Sequence, residues 1–451
     1  MTKKILWASL ALVVGFASCK KDDPVEVEKA LTRELSLSFS NNATAIQQIE
    51  PIVITATGEQ ASTNPSGLIW RVNGKEVARG TTYTFRPGLP GKYSLNVSSS
   101  DGNVSITRDY TVEPRFTKGA FLLNEGNGTD NVETGTLTYV DVKGKAILDS
   151  AYIHVNGTKL GHVCQDLAFA NEKIYIISQN GKRNGGEGLL TIAKANTLEK
   201  IKVFNDATLA KEWPTHIAVI GDRIYLRAND GIHIGTENGG FKLIAGTEKA
   251  QMLRMAVIGQ RVFASTSDKK LLMIQGDQVV KELLLAEKAT GLALADDGNL
   301  WVAISNQGSN NQILKVSADP ADFKILDMQA VSLSLSNYTT ASVIQPHGNV
   351  LYFAVTPWKA PISIHKHDFA AKATTLFANI LDTKYAPELK TFYNSLGVDP
   401  KTGYVYYSGI KGFGEDYKTN STLVLDPQGN VLIKKDNTNS FPAGWYFIPQ
   451  K

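Results

Sequence analysis

The sequence predicts an all-β protein in which a small N-terminal β-sandwich precedes a seven-bladed β-propeller. Three observations support this prediction. Residues 31–114 contain short alternating strands separated by turn residues. A strand–turn–strand unit recurs through residues 117–451, and an apolar segment near the end of the chain is suited to close a ring.

The first 18 residues have the pattern of a secretory signal peptide. Lys3 and Lys4 precede an apolar run of about a dozen residues, and small residues lead directly into Cys19. This order resembles the signal and cleavage site of bacterial lipoproteins. The resemblance implies cleavage before Cys19 and a diacylglycerol group on its sulfur. Residues 1–18 are then the signal peptide, and residues 19–30 are the lipidated cysteine with a charged tether.

The tether is similar to the signal that sends Bacteroidetes lipoproteins to the outer face of the outer membrane. This resemblance assigns the address to Lys21-Asp22-Asp23 and a location facing the cell exterior, with the inner leaflet as the alternative. No other apolar run has the length of a spanning helix, so attachment depends on the lipid. Cleavage lowers the net charge from +4 to +2 because Lys3 and Lys4 are lost, and this balance gives no electrostatic argument for a nucleic-acid partner.

Residues 31–114 predict about seven short strands of a sandwich. Asn73-Gly74 predicts a two-residue hairpin turn, and Trp70 is expected in the core between the sheets. The segments around Trp70 and Tyr93 resemble immunoglobulin-like modules of the polycystic-kidney-disease (PKD) type, in the members that lack a cysteine pair. Cys164 has no partner if Cys19 is acylated, and we expect a buried, inert thiol.

Six copies of the repeat begin roughly 37 to 53 residues apart, a spacing typical of four-stranded propeller blades. A seventh, divergent unit begins at residues 120–124, and residues 444–448 are expected to form the closing strand. An open solenoid is the alternative, but it would need polar caps at both ends. The copies occupy residues 166–177, 216–226, 255–263, 292–302, 343–352 and 396–406.

Long loops between the second and third strands and between blades are expected on one face of the propeller. Their aromatic, amide and cationic side chains suit a large organic ligand, a glycan or a protein. Packing of each aromatic ring beneath its own loop is the alternative. The candidate ligand-binding residues are Asn180, Lys182, Arg183, Trp213, Asn229, Asn306, Tyr338, Trp358, Lys411 and Tyr417.

Linear motifs for chemistry are missing from the sequence. It contains no His-Glu-x-x-His, no zinc-spaced cysteines, no Gly-x-Ser-x-Gly, no phosphate-binding loop and no calcium loop. The sequence therefore predicts no catalytic residue, no metal ligand and no bound cofactor. Active sites assembled from distant blades leave an enzyme as the least favoured alternative.

The chain as a whole resembles Bacteroidetes outer-membrane lipoproteins with a YncE-like propeller. The resemblance depends on the lipoprotein signal and on residues 121–127 and 441–444. Some members of this group are similar to surface proteins that capture cobalamin for a TonB-dependent transporter. The resemblance implies capture of a nutrient or cofactor, such as a corrinoid, without catalysis. A structural or adhesive surface protein that binds another protein is the second hypothesis.

Overall fold

The computed structural model of the 451-residue chain describes residues 34–126, 133–143, 145–307, 309–336, 341–355, 362–438 and 440–449. The predicted signal peptide, Cys19 and the tether lie outside the described residues. The chain divides into two compact units. One comprises the described part of Met1–Phe39 with Ile54–Tyr83 and Leu95–Thr107, and the other comprises Ser40–Val53, Thr84–Ser94 and Arg108–Lys451.

Eight N-terminal strands form two small sheets, in the orders β1-β3-β6 and β2-β8-β7-β4-β5. The hairpin turn at Asn73-Gly74 joins β4 to β5 with φ of 49° and 80°, as the sequence predicts. Trp70 is fully buried, and its indole nitrogen donates to the Gly80 carbonyl at 2.8 Å. The strands are β1 (Ser36–Phe39), β2 (Ala45–Gln47), β3 (Ile52–Thr57), β4 (Leu68–Val72), β5 (Lys75–Arg79), β6 (Thr82–Phe85), β7 (Gly91–Ser99) and β8 (Ser105–Glu113).

Seven four-stranded, blade-like sheets follow, consistent with a seven-bladed propeller, and we number them blades 1 to 7. Blade 1 contains β9 (Ala120–Asn124), β10 (Thr136–Asp141) and β11 (Ala146–Leu148), with β36 (Pro442–Phe447) as its innermost strand. Blade 2 contains β12 (His162–Ala170), β13 (Lys173–Gly181), β14 (Leu190–Lys194) and β15 (Lys200–Phe204). Blade 3 contains β16 (His216–Ile220), β17 (Arg223–Ala228), β18 (Gly231–Thr236) and β19 (Gly239–Leu243).

The remaining four blades have the same order of strands from the inside outward. Blade 4 contains β20 (Ala256–Ile258), β21 (Arg261–Ser265), β22 (Lys270–Gln275) and β23 (Gln278–Leu284). Blade 5 contains β24 (Ala289–Leu294), β25 (Leu300–Asn306), β26 (Ser309–Val316) and β27 (Ile325–Ala330). Blade 6 contains β28 (Ile344–His347), β29 (Val350–Val355), β30 (Ser363–Asp368) and β31 (Ala373–Asn379). Blade 7 contains β32 (Thr391–Val398), β33 (Val405–Ile410), β34 (Asn420–Leu425) and β35 (Val431–Asp436).

Helices in the described residues are short and none has the length and apolar character of a membrane span. They occur in the turns and connections between strands. The α-helices are α1 (Glu59–Thr63), α2 (Ala151–Asn156) and α3 (Ala207–Lys211), and the 3-10 helices are Pro65–Gly67, Arg183–Gly185 and Gly414–Lys418.

The C-terminal strand closes the ring, as the sequence predicts. β36 pairs antiparallel with β9, so that Trp445 lies opposite Leu122 and Tyr446 opposite Phe121. Trp445 and Leu122 also pack against Tyr406 of blade 7 in one buried cluster. Because both faces of a blade are covered by its neighbours, the inner strands are apolar without clear alternation. Full burial of each large side chain stabilises the fold by about 1.5–3 kcal/mol.

Candidate functional site

Neighbouring strands of each blade are antiparallel. One face of the propeller therefore carries the start of the innermost strand, the end of the second strand and the start of the third. We call this side the loop face. In blade 1 it carries the described ends of the connection between β9 and β10, together with the residues before β36. In blade 7 it carries the connection between β33 and β34, which contains Phe413 and Tyr417.

Glu125 is a buried carboxyl group on the loop face, directly after β9. Its backbone N–H donates to the Phe441 carbonyl at 2.8 Å, which fixes the residue beside the start of β36. The Tyr393 hydroxyl lies 3.0 Å from both carboxyl oxygens. Glu125 is 7% exposed, and its burial raises the pKa of the carboxyl to about 8, although hydrogen bonds from Tyr393 and Gln165 act in the opposite direction. Glu125 is therefore mostly uncharged at neutral pH.

Four rings from blade 7 and from the segment before β36 pack together, and one of them, Tyr393, contacts Glu125. We call Tyr393, Phe413, Tyr417 and Phe441 the aromatic cluster. Phe441 stacks on Tyr417 with ring centroids 4.8 Å apart, and it also packs against Phe413 and Tyr393 at 6.3 and 5.8 Å. Phe413 is 60% exposed, whereas Tyr417 is buried. The cluster thus has a fixed base and one ring that faces solvent.

Glu133 connects the aromatic cluster to blades 1 and 2. Its carboxylate accepts the Tyr417 hydroxyl at 2.8 Å and the Ser440 hydroxyl at 2.7 Å. Its backbone carbonyl accepts the Asn184 side chain at 3.1 Å. Glu133 and Ser440 also line a cavity of about 360 Å³ that extends to Asp149 and Lys159. Glu133 therefore joins three loops of the face through its carboxylate and its backbone carbonyl, and it borders the cavity.

A second polar group lies among the innermost strands. Asp166 in β12 accepts the Tyr446 hydroxyl at 2.6 Å, the Ile217 backbone N–H at 3.1 Å and Nε of Arg254 at 3.2 Å. The Arg254 guanidinium lies over the Tyr446 ring, 4.3 Å from its centroid. Burial raises the pKa of Tyr446 well above its usual range, so its hydroxyl remains a donor. This group joins the innermost strands of blades 1, 2 and 3 to the segment before blade 4.

The structure distributes the sequence-predicted residues over several loops. Tyr417 and Lys411 share the connection of blade 7, where Tyr417 is packed in the aromatic cluster and Lys411 pairs with Asp416 at 2.8 Å. Trp213 is 53% exposed and has φ of 49°, an unusual conformation for a bulky residue. Tyr338 and Trp358 lie outside the described residues.

The other candidates are polar residues at the ends of blades 2, 3 and 5. Asn180 is half-buried, with its amide nitrogen 3.1 Å from Nδ1 of His162. Exposed Asn229 donates its backbone N–H to the Glu212 carbonyl beside Trp213, at 2.7 Å. Exposed Asn306 accepts the Ser309 hydroxyl through its backbone carbonyl at 2.7 Å. Lys182 and Arg183 are exposed in the connection of blade 2.

Sequence reasoning missed most of the residues that the fold brings together. Glu125 and Phe441 belong to the two segments on which the family resemblance depends, and the structure shows that these segments are adjacent. The presence of both residues in the segments that carry the family resemblance was the signal in the sequence that could have indicated a site. Tyr393, Arg254 and Asp166 lie in or beside strands and carry no motif. In the described part of the chain, no group of three His, Cys, Asp or Glu side chains could hold a metal ion.

Solved structures resemble this chain in fold. A quinonprotein alcohol dehydrogenase-like protein from Bacteroides thetaiotaomicron matches with a TM-score of 0.60 and 17% identity, over 90% of this chain and 96% of that chain. A periplasmic gluconolactonase from Pseudomonas aeruginosa matches at 0.49 and 12% identity, over 74% of this chain and 99% of that one. A putative 6-phosphogluconolactonase from Bacteroides fragilis matches at 0.47 and 12% identity, over 75% and 100%. At 17% identity the first similarity shows the fold alone.

No curated protein matches the chain. Residues 118–448 match the family described as Domain of unknown function (DUF5074). The match covers blades 1 to 7 from before β9 to after β36. The chain therefore belongs to the DUF5074 family.

Proposed function

We propose that the protein is a surface-exposed, lipid-anchored binding protein that captures a nutrient or cofactor on its loop face and passes it to a TonB-dependent outer-membrane transporter. The observation that carries this proposal is the exposed ring of Phe413 above the packed base of the aromatic cluster. A preformed aromatic surface binds flat organic ring systems with little loss of side-chain entropy. A corrinoid is one ligand of this kind.

The polar surroundings of the cluster support binding rather than turnover. The Glu133 carboxylate is occupied by the Tyr417 and Ser440 hydroxyls, and Glu125 is held by Tyr393. These contacts fix the rings in place, and preorganised groups strengthen binding because less order is lost on association. We propose that the bound compound leaves the protein chemically unchanged.

The N-terminal part of the chain completes the proposal. Acylation of Cys19 would anchor the mature protein, and residues 20–30 would serve as a tether. We propose an immunoglobulin/PKD-like sandwich for the two small N-terminal sheets, acting as a spacer or docking module. Replacement of Cys19 by Ser should abolish labelling with radioactive palmitate, and protease treatment of intact cells should degrade the wild-type protein. Protection from the protease would contradict the surface location.

Calorimetry of the soluble protein against corrinoids, haem and glycans tests the binding function. At least one of these compounds should bind, and Phe413→Ala should weaken that binding by about tenfold if the ring contributes about 1–1.5 kcal/mol. Leu284→Ala is the matched control, because Leu284 is 71% exposed at the end of the outer strand of blade 4, three blades away from the aromatic residues of blade 7. Absence of binding by every compound would contradict capture, and chemical conversion of a bound compound would favour an enzyme.

A further inference from the structure

Arg254 extends from the segment before blade 4 to the innermost strands of blades 1 and 2. Its Nε donates to Asp166 of β12 at 3.2 Å, and its guanidinium carbon lies 4.3 Å from the ring centroid of Tyr446 in β36. The connection that carries it, residues 244–255, joins β19 to β20 and begins the innermost strand of blade 4. Arg254 therefore enters the ring from the loop face and holds a cation among the innermost strands.

The acceptor that orients Arg254 is already fully engaged. The Asp166 carboxylate accepts the Tyr446 hydroxyl, the Ile217 N–H and Nε of Arg254. Within the described residues, the guanidinium pairs with no carboxylate other than Asp166. The Arg254 side chain is 22% exposed, while that of Asp166 is 1% exposed. The arginine side chain is therefore partly exposed to solvent, while the carboxylate is enclosed.

Nη2 of Arg254 packs against Gly444, which has no side chain. A Cβ atom at Gly444 would lie 2.5 Å from Nη2 of Arg254, closer than side-chain packing allows. Gly444 also has φ of 154°, a conformation that side chains rarely adopt. Phe441 of the aromatic cluster precedes Gly444 by three residues, a separation of about 10 Å along extended chain. The terminal nitrogens of Arg254 thus lie deeper in the loop face than the aromatic cluster. One ring-containing ligand is long enough to reach both.

We infer that Arg254 is an anion-binding residue of the loop face, and that the ligand held by the aromatic cluster carries a carboxylate or phosphate group. The planar edge of a guanidinium matches the paired oxygens of these groups. Asp166 and Tyr446 fix its orientation before a ligand arrives, which lowers the entropy lost on binding. This inference rests on the proposed capture function and specifies the chemistry of its ligand.

Two fluorescent probes that differ in a single anionic group test this inference. 1-Anilinonaphthalene-8-sulfonate carries a sulfonate beside its rings, and N-phenyl-1-naphthylamine is the same ring system without it. The wild-type protein should bind the sulfonate probe about tenfold more tightly, as expected for one or two charge-assisted hydrogen bonds. Arg254→Gln should remove this preference and leave the affinity for the neutral probe unchanged, and inorganic phosphate should displace the sulfonate probe from the wild type.

The controls separate this inference from the proposed function. Phe413→Ala should weaken both probes, and Leu284→Ala should weaken neither. If Phe413→Ala weakens both probes but the wild type shows no preference for the sulfonate, the inference is wrong and capture by the cluster survives. If neither probe responds to Phe413→Ala, the proposed aromatic site is wrong. If Arg254→Gln does not fold, as judged by its circular dichroism, Arg254→Lys and phosphate competition on the wild type decide the question.

Discussion

The hydroxyl of Tyr393 lies 3.0 Å from both carboxyl oxygens of Glu125, although the two residues are 268 positions apart in the chain. Tyr393 comes from the innermost strand of blade 7, and Glu125 follows the second strand of blade 1. The contact therefore spans the junction at which the ring closes. Burial raises the pKa of Tyr393 far above its usual range, so this hydroxyl stays protonated and donates to the carboxyl group.

The free energy of unfolding should depend on pH through the carboxyl group of Glu125. Its pKa is raised from 4.5 to about 8 in the folded protein, so the folded state retains a proton that the unfolded chain releases. The contribution to stability is complete below about pH 4.5 and is lost as the pH rises to about 8. The slope for one such group is about 1.4 kcal/mol per pH unit. Urea unfolding at several pH values measures it.

Glu125→Gln should remove this slope, because an amide is uncharged at every pH and still accepts from Tyr393. The variant should match the wild type near pH 5 and exceed its free energy of unfolding near pH 8.5. Glu59→Gln, at an exposed position of α1, is the matched control and should follow the wild-type curve. Equal pH dependence in the wild type and Glu125→Gln would show that the carboxyl is not buried in its neutral form.

Gly444→Ala should destabilise the fold and disturb Arg254. Backbone strain at φ of 154° costs about 1–3 kcal/mol, and the added Cβ also displaces Nη2 of Arg254 from its position. Gly298→Ala provides the comparison, since Gly298 has φ of 80° and a Cβ there meets nothing within 4 Å. Thermal unfolding of the two variants should therefore show the larger loss for Gly444→Ala. An equal loss would mean that Arg254 moves aside without cost.

The sequence was sufficient to predict the propeller because its signals are local. Each repeat places an apolar strand, a turn and a second strand within about a dozen residues, and this pattern needs no knowledge of distant contacts. The closing strand was also predictable, because an apolar segment around Trp445 at the end of a ring must be covered. The pairing of Trp445 with Leu122 confirms it.

The site was less predictable because its residues meet through the register of different blades. Arg254 and Asp166 are 88 positions apart, and neither lies in a motif. For aromatic residues in loops, the amino-acid composition does not show whether a ring is buried or exposed to solvent. Tyr417 is buried because Glu133 accepts its hydroxyl and Phe441 stacks on it, whereas Trp213 remains exposed.

Cys164 should be unreactive in the folded protein. Its side chain is completely buried, its thiol donates to the Gly161 carbonyl at 3.4 Å, and burial raises the pKa of the thiol far above its usual range. The thiolate that reacts with disulfide reagents is therefore scarce and inaccessible. Protein lacking residues 1–19 retains Cys164 as its one cysteine. Ellman's reagent should release about one equivalent of thiolate in guanidinium and almost none under native conditions, and rapid native reaction would contradict this burial.

Asn124 should be essential to closure of the ring. Its amide nitrogen donates to the Thr136 and Thr138 hydroxyls at 3.1 Å, and its amide oxygen accepts the Ser440 N–H at 3.4 Å. Thr138 in turn donates to the Thr438 carbonyl at 2.7 Å, so Asn124 belongs to a buried polar seam between blades 7 and 1. Asn124→Ala leaves buried polar groups without partners, which should cost about 3 kcal/mol.

The stability lost in Asn124→Ala should be concentrated at the closing strand, because Asn124 holds the segment that enters β36. Hydrogen exchange at the amides of β36 should accelerate more than exchange in blades 3 to 5, since local opening of this strand requires less free energy than global unfolding. Asn238→Ala is the matched control: Asn238 is exposed and its side-chain oxygen accepts an exposed contact from Lys202, so its replacement should change stability by less than about 0.5 kcal/mol. Uniform acceleration across all blades would show that the seam and the rest of the ring unfold as one unit.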